Sequence, residues 1–157
     1  MLKRKIYLDT SAISYLCQED TPEKMAETLA FWEILKKGGY EVHISDVTEN
    51  ELRKCPDPKR SKLLALLNEI PYTVIVTEDN EDITAIEEDI KRHGILSPGS
   101  ANDRLHIAAA IYSECSIIYS WNFRHFINDR TIEGARMISA LNGKSLINIL
   151  PPPALKG

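Results

Sequence analysis

Three cysteines in 157 residues, Cys17, Cys55 and Cys115, are too few, too scattered and of the wrong parity for a disulfide framework. No CxxC pair occurs, so a zinc site is not indicated either, and a reducing cytoplasm is the expected setting. Long apolar runs are also missing. The least polar stretch, Ile107 to Tyr112, lies between Arg104 and Glu114 and falls far short of the roughly 20 residues a membrane helix needs. The opening MLKRKIYLDTS holds only a few apolar residues before Asp9, so no signal-peptide region and no membrane partner is expected. Positive charge is not in excess. Lys plus Arg number 19 against 23 Asp plus Glu, a net charge of -4, so no global field draws in nucleic acid and any polyanion must be held locally or through a bound cation. Repeats, low-complexity tracts and Gly/Ser linkers are absent, and the only biased piece is Pro151-Pro152-Pro153. What remains is a single domain over residues 1–150 with a Pro-rich tail over 151–157. With 43% apolar residues it has enough material for a core without staples.

Periodicity organises that domain. Lys5 to Leu8, Val42 to Ser45, Tyr72 to Thr77, Ser116 to Ser120 and Leu146 to Leu150 are short β-favouring runs. Helical patterns lie between them. Thr21-Pro22 starts one whose face carries Met25, Leu29, Trp32 and Leu35, and Gly38-Gly39 ends it. Of the adjacent Phe31 and Trp32, one is expected to face a partner. Asp57-Pro58 starts a second with Leu63, Leu64, Leu67 and Ile70, and Ile83, Ile86 and Ile90 mark a third that Gly94 closes. Ser100 is the expected cap of a helix through Glu114, and Thr131 of one running to Asn142-Gly143. Strands alternating with helices predict an α/β fold, a three-layer α/β/α sandwich around a mainly parallel sheet of about five strands.

In such a sheet ligands bind beyond the carboxyl ends of the strands. Four polar residues fall there. Asp9 follows the first strand in DTSAIS, Glu51 lies within the first two turns of the helix after the second strand, Asp103 is in the first turn of the helix that begins at Ser100, and Asn122 is just past the fourth strand in SWNFRHF. Carboxylates about 4 Å apart repel by about 4 kcal/mol at an effective dielectric near 20, so such a cluster wants protons or a cation. Hard oxygens favour Mg²⁺ or Mn²⁺, whose natural chemistry is phosphodiester hydrolysis. Each residue also has a plainer role: Asp9 as a cap, Glu51 and Asp103 as complements to helix dipoles, Asn122 as a turn residue. Their joint placement favours the site.

At IYLDTSAIS, ISDVTENEL, NDRLHIAAA and YSWNFRHF, stretches that span nearly the whole chain, the sequence resembles the PIN-domain family and, within it, the VapC-like toxins of type II toxin–antitoxin systems. The resemblance implies an α/β/α sandwich and a divalent-metal-dependent endoribonuclease. Its acidic positions match Asp9, Glu51 and Asp103, with Asp9 and Asp103 binding the metal and Glu51 binding it or orienting a coordinated water. The fourth position is often aspartate and here is Asn122, which brings no charge and would position water or phosphate. Asp129 is a nearby substitute or simply a cap. Thr10 and Ser11 either hydrogen-bond a phosphate or shape the turn, and Arg104, Arg124 and His125 offset the acids for an RNA backbone. His106 either touches the substrate or, as the favoured reading, is a satisfied structural histidine. An inhibitory antitoxin and a homodimer are implied by the same resemblance. The competing readings are a non-catalytic PIN-like module that binds RNA or protein, and a phosphatase of another Mg²⁺-using family, which the missing second aspartate of DTS weakens.

Overall fold

The computed structural model describes residues 2–157. Five strands, β1 (Arg4–Leu8), β2 (Tyr40–Ser45), β3 (Thr73–Ile75), β4 (Ile117–Tyr119) and β5 (Asn148–Leu150), form one sheet in the order β3-β2-β1-β4-β5. Every pairing is parallel. Seven helices connect them among the described residues: α1 (Thr10–Ser14), α2 (Pro22–Lys36), α3 (Asp46–Arg53), α4 (Lys59–Leu67), α5 (Glu81–Arg92), α6 (Ala101–Tyr112) and α7 (Asp129–Leu141). The expected three-layer α/β/α sandwich is what forms.

Alternation along β1 explains the layers. Ile6 and Leu8 join Phe31, Trp32, Leu52 and Leu63 on one face, whereas Tyr7 joins Ile86, Ile107, Phe126 and Ile138 on the other. The chain winds outward from β1 through β2 to β3, then crosses back to β4 and β5. The direction therefore reverses between β1 and β4, which opens a crevice where those two strands end.

Several expectations shift for local reasons. Phe31 and Trp32 are both buried, so neither faces a partner. Helix α2 turns Thr28 inward in place of Leu29, because the Thr28 hydroxyl accepts the Trp121 indole N–H at 2.8 Å, and the Trp32 indole donates to the Leu66 carbonyl at 3.1 Å. Helix α6 is buried on most sides, Arg104 and His106 included. Asn128, not Thr131, caps α7, its side chain accepting from the Thr131 N–H at 2.9 Å. Ser100 makes no capping bond; its hydroxyl pairs with that of Ser97. Residues 151–157 pack on the domain, with Pro152 and Leu155 buried beside α2.

One glycine is held by packing. A Cβ on Gly134 would lie 2.7 Å from Cγ1 of Ile95, near the branch point of that side chain. Overpacking costs about 1–3 kcal/mol, against about 1 kcal/mol that alanine gains in a helix. Gly134→Ala should therefore lower the thermal midpoint, and a midpoint at or above wild type would show that Ile95 yields freely.

Candidate active site

Asp9 sits where β1 ends and caps α1, its Oδ1 accepting from the Ala12 N–H at 3.0 Å and the Ser11 hydroxyl at 2.7 Å. Its Oδ2 accepts from the Ser120 hydroxyl at 2.5 Å. The register explains that pair: Leu8 lies opposite Tyr119, so the next residue of each strand, Asp9 and Ser120, emerge together at the crevice. Asp9 is buried, and loss of solvent raises its carboxyl above the usual range despite the nearby His106 and the three donors. A buried acid of this kind wants positive charge.

Glu51 is carried there by α3, which Ser45 starts with a capping box. Its Oε1 accepts from the Thr10 hydroxyl at 2.6 Å and pairs with His106 Nε2 at 2.7 Å. Burial alone would raise this carboxyl, but the His106 bond and charge and the Thr10 hydroxyl more than offset it and hold it below the usual range. An ionised carboxylate only accepts, so Nε2 carries a proton. The other imidazole nitrogen, Nδ1, lies 2.6 Å from the Tyr7 hydroxyl, which also meets Ser45 at 2.8 Å. Burial pushes the Tyr7 phenol far above its usual range, so it remains a hydroxyl and can donate to Nδ1. Tyr7, His106 and Glu51 thus form one line from the sheet to its edge.

Asp103 lies in the first turn of α6, one turn before His106, and its Oδ2 meets His125 Nδ1 at 2.7 Å. Asn122 reaches it indirectly. The Asn122 Oδ1 accepts the His125 N–H at 2.9 Å and its own N–H donates to Ser120 at 2.9 Å, so a run of bonds passes from Asp9 through Ser120, Asn122 and His125 to Asp103. Asp9, Glu51, Asp103 and Asn122 therefore lie along one edge, linked through Thr10, Ser120 and His125 rather than touching one another. Asp129 sits apart, exposed in the first turn of α7.

The hydroxyls of Thr10 and Ser11 are spent on Glu51 and Asp9, and Ser11 also accepts from the Trp121 N–H at 2.8 Å, so they organise carboxylates rather than wait for phosphate. Arg104 needs correction. Helical rotation from Asp103 turns it toward α5, where it is buried, donates to Glu87 at 2.6 Å and to the Ser97 carbonyl at 2.7 Å, and has no place at the site. Sequence reasoning missed Ser120 and Tyr7 and undervalued His106. Ser120 was findable only by pairing β1 with β4.

A divalent cation suits these donors in kind: they are hard carboxylate oxygens, and Oε2 of Glu51 and Oδ1 of Asp103 accept no hydrogen bond among the described residues. Closed coordination is not in place, since among the described residues no three His, Cys, Asp or Glu side chains converge to hold an ion. Hydroxyls and imidazoles hold the acids instead. An ion bound largely through waters needs few carboxylates, so the set fits a hydrated divalent cation.

Comparison with curated proteins gives no match. Among solved structures, VapBC2 from Rickettsia felis, bound to a DNA fragment from their promoter, is similar in fold at a TM-score of 0.57 and 18% identity, covering 76% of this chain and 89% of that chain. The PIN domain model matches residues 6–126. PIN domains are in general metal-dependent nucleases that use divalent ions. With a match that runs from β1 past His125 and includes all three acids and Asn122, the chain belongs to the PIN domain family.

Proposed function

We propose that this protein is a Mg²⁺- or Mn²⁺-dependent endoribonuclease that hydrolyses RNA phosphodiester bonds, and that it is the toxin of a type II toxin–antitoxin pair. The observation that supports this best is the placement of Asp9, Glu51 and Asp103 along one edge of a PIN domain, Glu51 tied to Thr10 beside Asp9 and Asp103 tied to Asp9 through His125, Asn122 and Ser120. Asp9, Glu51 and Asp103 would hold the ion. When bound, it supplies Lewis acidity that activates water and takes up charge on the scissile phosphate.

The rest is the work of the chain. Ser11, Ser120 and the Ala12 N–H fix the buried Asp9 carboxylate in one orientation. Thr10 and His106 keep Glu51 ionised and leave its second oxygen without a hydrogen bond, suited to orienting the attacking water. Asn122 holds His125, and His125 holds Asp103. Arg124 and His125 would meet the RNA backbone.

The likeness in fold to VapBC2 makes an antitoxin the partner to seek, and a homodimer and a cytoplasmic location accompany this reading. A second reading, a PIN-like module that binds without cutting, draws on one specific observation: Asn122 brings no charge and its amide oxygen is already committed to His125. Incubating RNA with the protein in Mg²⁺, Mn²⁺ or chelator separates them. Cleavage in Mn²⁺ that chelator stops is expected, and intact RNA under every condition leaves the binding module.

A further inference from the structure

The two sides of the carboxylate edge carry opposite charge. On the β3 side lies a cleft of about 510 Å³ whose walls include Asp46, Glu51, Glu78 and Asp79 against a single lysine, Lys54. Beyond β4, between the α5–α6 connection and the start of α7, lies a groove of about 400 Å³ lined by Ser97, Ser100, Arg124, His125 and Arg130, with no acidic residue in its walls. In a chain of net charge -4 this separation bears directly on a polyanion.

We propose that the groove at Arg124 and Arg130 binds the phosphodiester backbone of single-stranded RNA next to the scissile bond, so that the strand leaves the carboxylates across α7 and avoids the acidic cleft. The proposal rests on the ribonuclease reading above and adds the path of the strand and a role for Arg130. The arginine ion pairs are those of Arg60, Arg92 and Arg104, so among the described residues Arg124 and Arg130 have no carboxylate partner. Arg130 gives one N–H to the Gly94 carbonyl at 2.7 Å, which braces its guanidinium at the groove wall and leaves other donors for a phosphate. His125 joins groove to site: it lines the groove while its Nδ1 meets Asp103. The groove therefore begins one side chain away from an acid of the site. A phosphate entering the cleft instead would face Asp46, Glu78 and Asp79 in addition to Glu51, with only Lys54 to offset them in its walls.

The test uses a fluorescein-labelled single-stranded oligouridylate and anisotropy in Mn²⁺, with Asp9→Asn as the background so that the probe stays intact. Arg124→Gln combined with Arg130→Gln should weaken binding by about tenfold or more and flatten the slope of log K against log salt by about 1.4, the value for two lost single-strand phosphate contacts. Lys37→Gln with Lys62→Gln, which removes equal charge elsewhere, should leave both unchanged. Thermal melts check folding, and Arg124→Gln alone should give an intermediate slope. If the double arginine variant binds like its background, or the lysine pair loses as much, the groove proposal is overturned while cleavage by the wild-type chain keeps the ribonuclease reading. If the wild-type chain neither binds nor cuts RNA, that reading falls and the groove with it.

Discussion

Asp9→Asn should abolish metal-dependent RNA cleavage, by about 10²-fold or more, while leaving the fold intact and, without metal, more stable than wild type. The two effects have one origin. Asp9 is desolvated, so ionising it in the folded state costs free energy, and its folded pKa lies above its unfolded value. The sign then follows. Its favourable contribution is fully present below the unfolded value of about 3.9 and is lost as pH rises through the folded value. Asparagine has no such loss, so the variant's lead in melting temperature should widen between acid and neutral pH in chelator. Adding Mn²⁺ should reverse the order: an ion at 100 times its dissociation constant stabilises by about 2.7 kcal/mol, at about 2–4 °C per kcal/mol in a chain of this size. Only wild type should gain. Unchanged cleavage by the variant would remove Asp9 from the site, and an equal Mn²⁺ shift in both proteins would place the ion elsewhere.

The second large effect belongs to His106, a positioning residue because it acts through Glu51. His106→Ala removes the imidazole 2.7 Å from Oε1 and takes away one partner of the buried Tyr7 hydroxyl, which keeps Ser45 at 2.8 Å. Activity should fall by about 10–100-fold, the range for a residue that orients a ligand. Stability should fall by about 1–3 kcal/mol from the lost hydrogen bond and the space left by a buried imidazole. A structural role alone would give only the second effect. The distinguishing readout is pH: the His106 bond and charge help hold Glu51 low, so without them burial raises its pKa and the acid limb of the rate profile moves to higher pH. His106→Gln, whose amide can donate to Oε1, should recover part of the rate. An unmoved acid limb in a folded His106→Ala protein would make this histidine part of the core and nothing more.

These expectations depend on contacts that differ in how far the primary structure announces them. Asp9, Glu51 and Asp103 announce themselves because each follows a strand or opens a helix, and the β/α alternation carries such positions to the carboxyl edge. The helix stripe of Ile83, Ile86 and Ile90 was legible for a similar reason, one apolar face with a period of 3.6 residues, and so were Leu63 and Leu67, although Leu64, expected beside them, is exposed. Leu29 fits the α2 stripe equally well and is nonetheless exposed, because Thr28 finds a buried partner in Trp121. Helix α6 hides its orientation altogether, since it packs on several sides and its apolar residues show no clear stripe.

Fold class and the edge at which the acids gather were thus determined by the sequence itself, because periodicity and chain reversal are local properties. Which neighbours those acids would have was decided only in three dimensions. Ser120 reaches Asp9 through the β1–β4 register, His106 reaches Glu51 across α3 and α6, and Arg104 turns to Glu87 instead of the site. The opposed charges of cleft and groove likewise join segments far apart in the chain. Hydrogen bonds and fields act over ångströms of space, and no local pattern records which distant residues will share them.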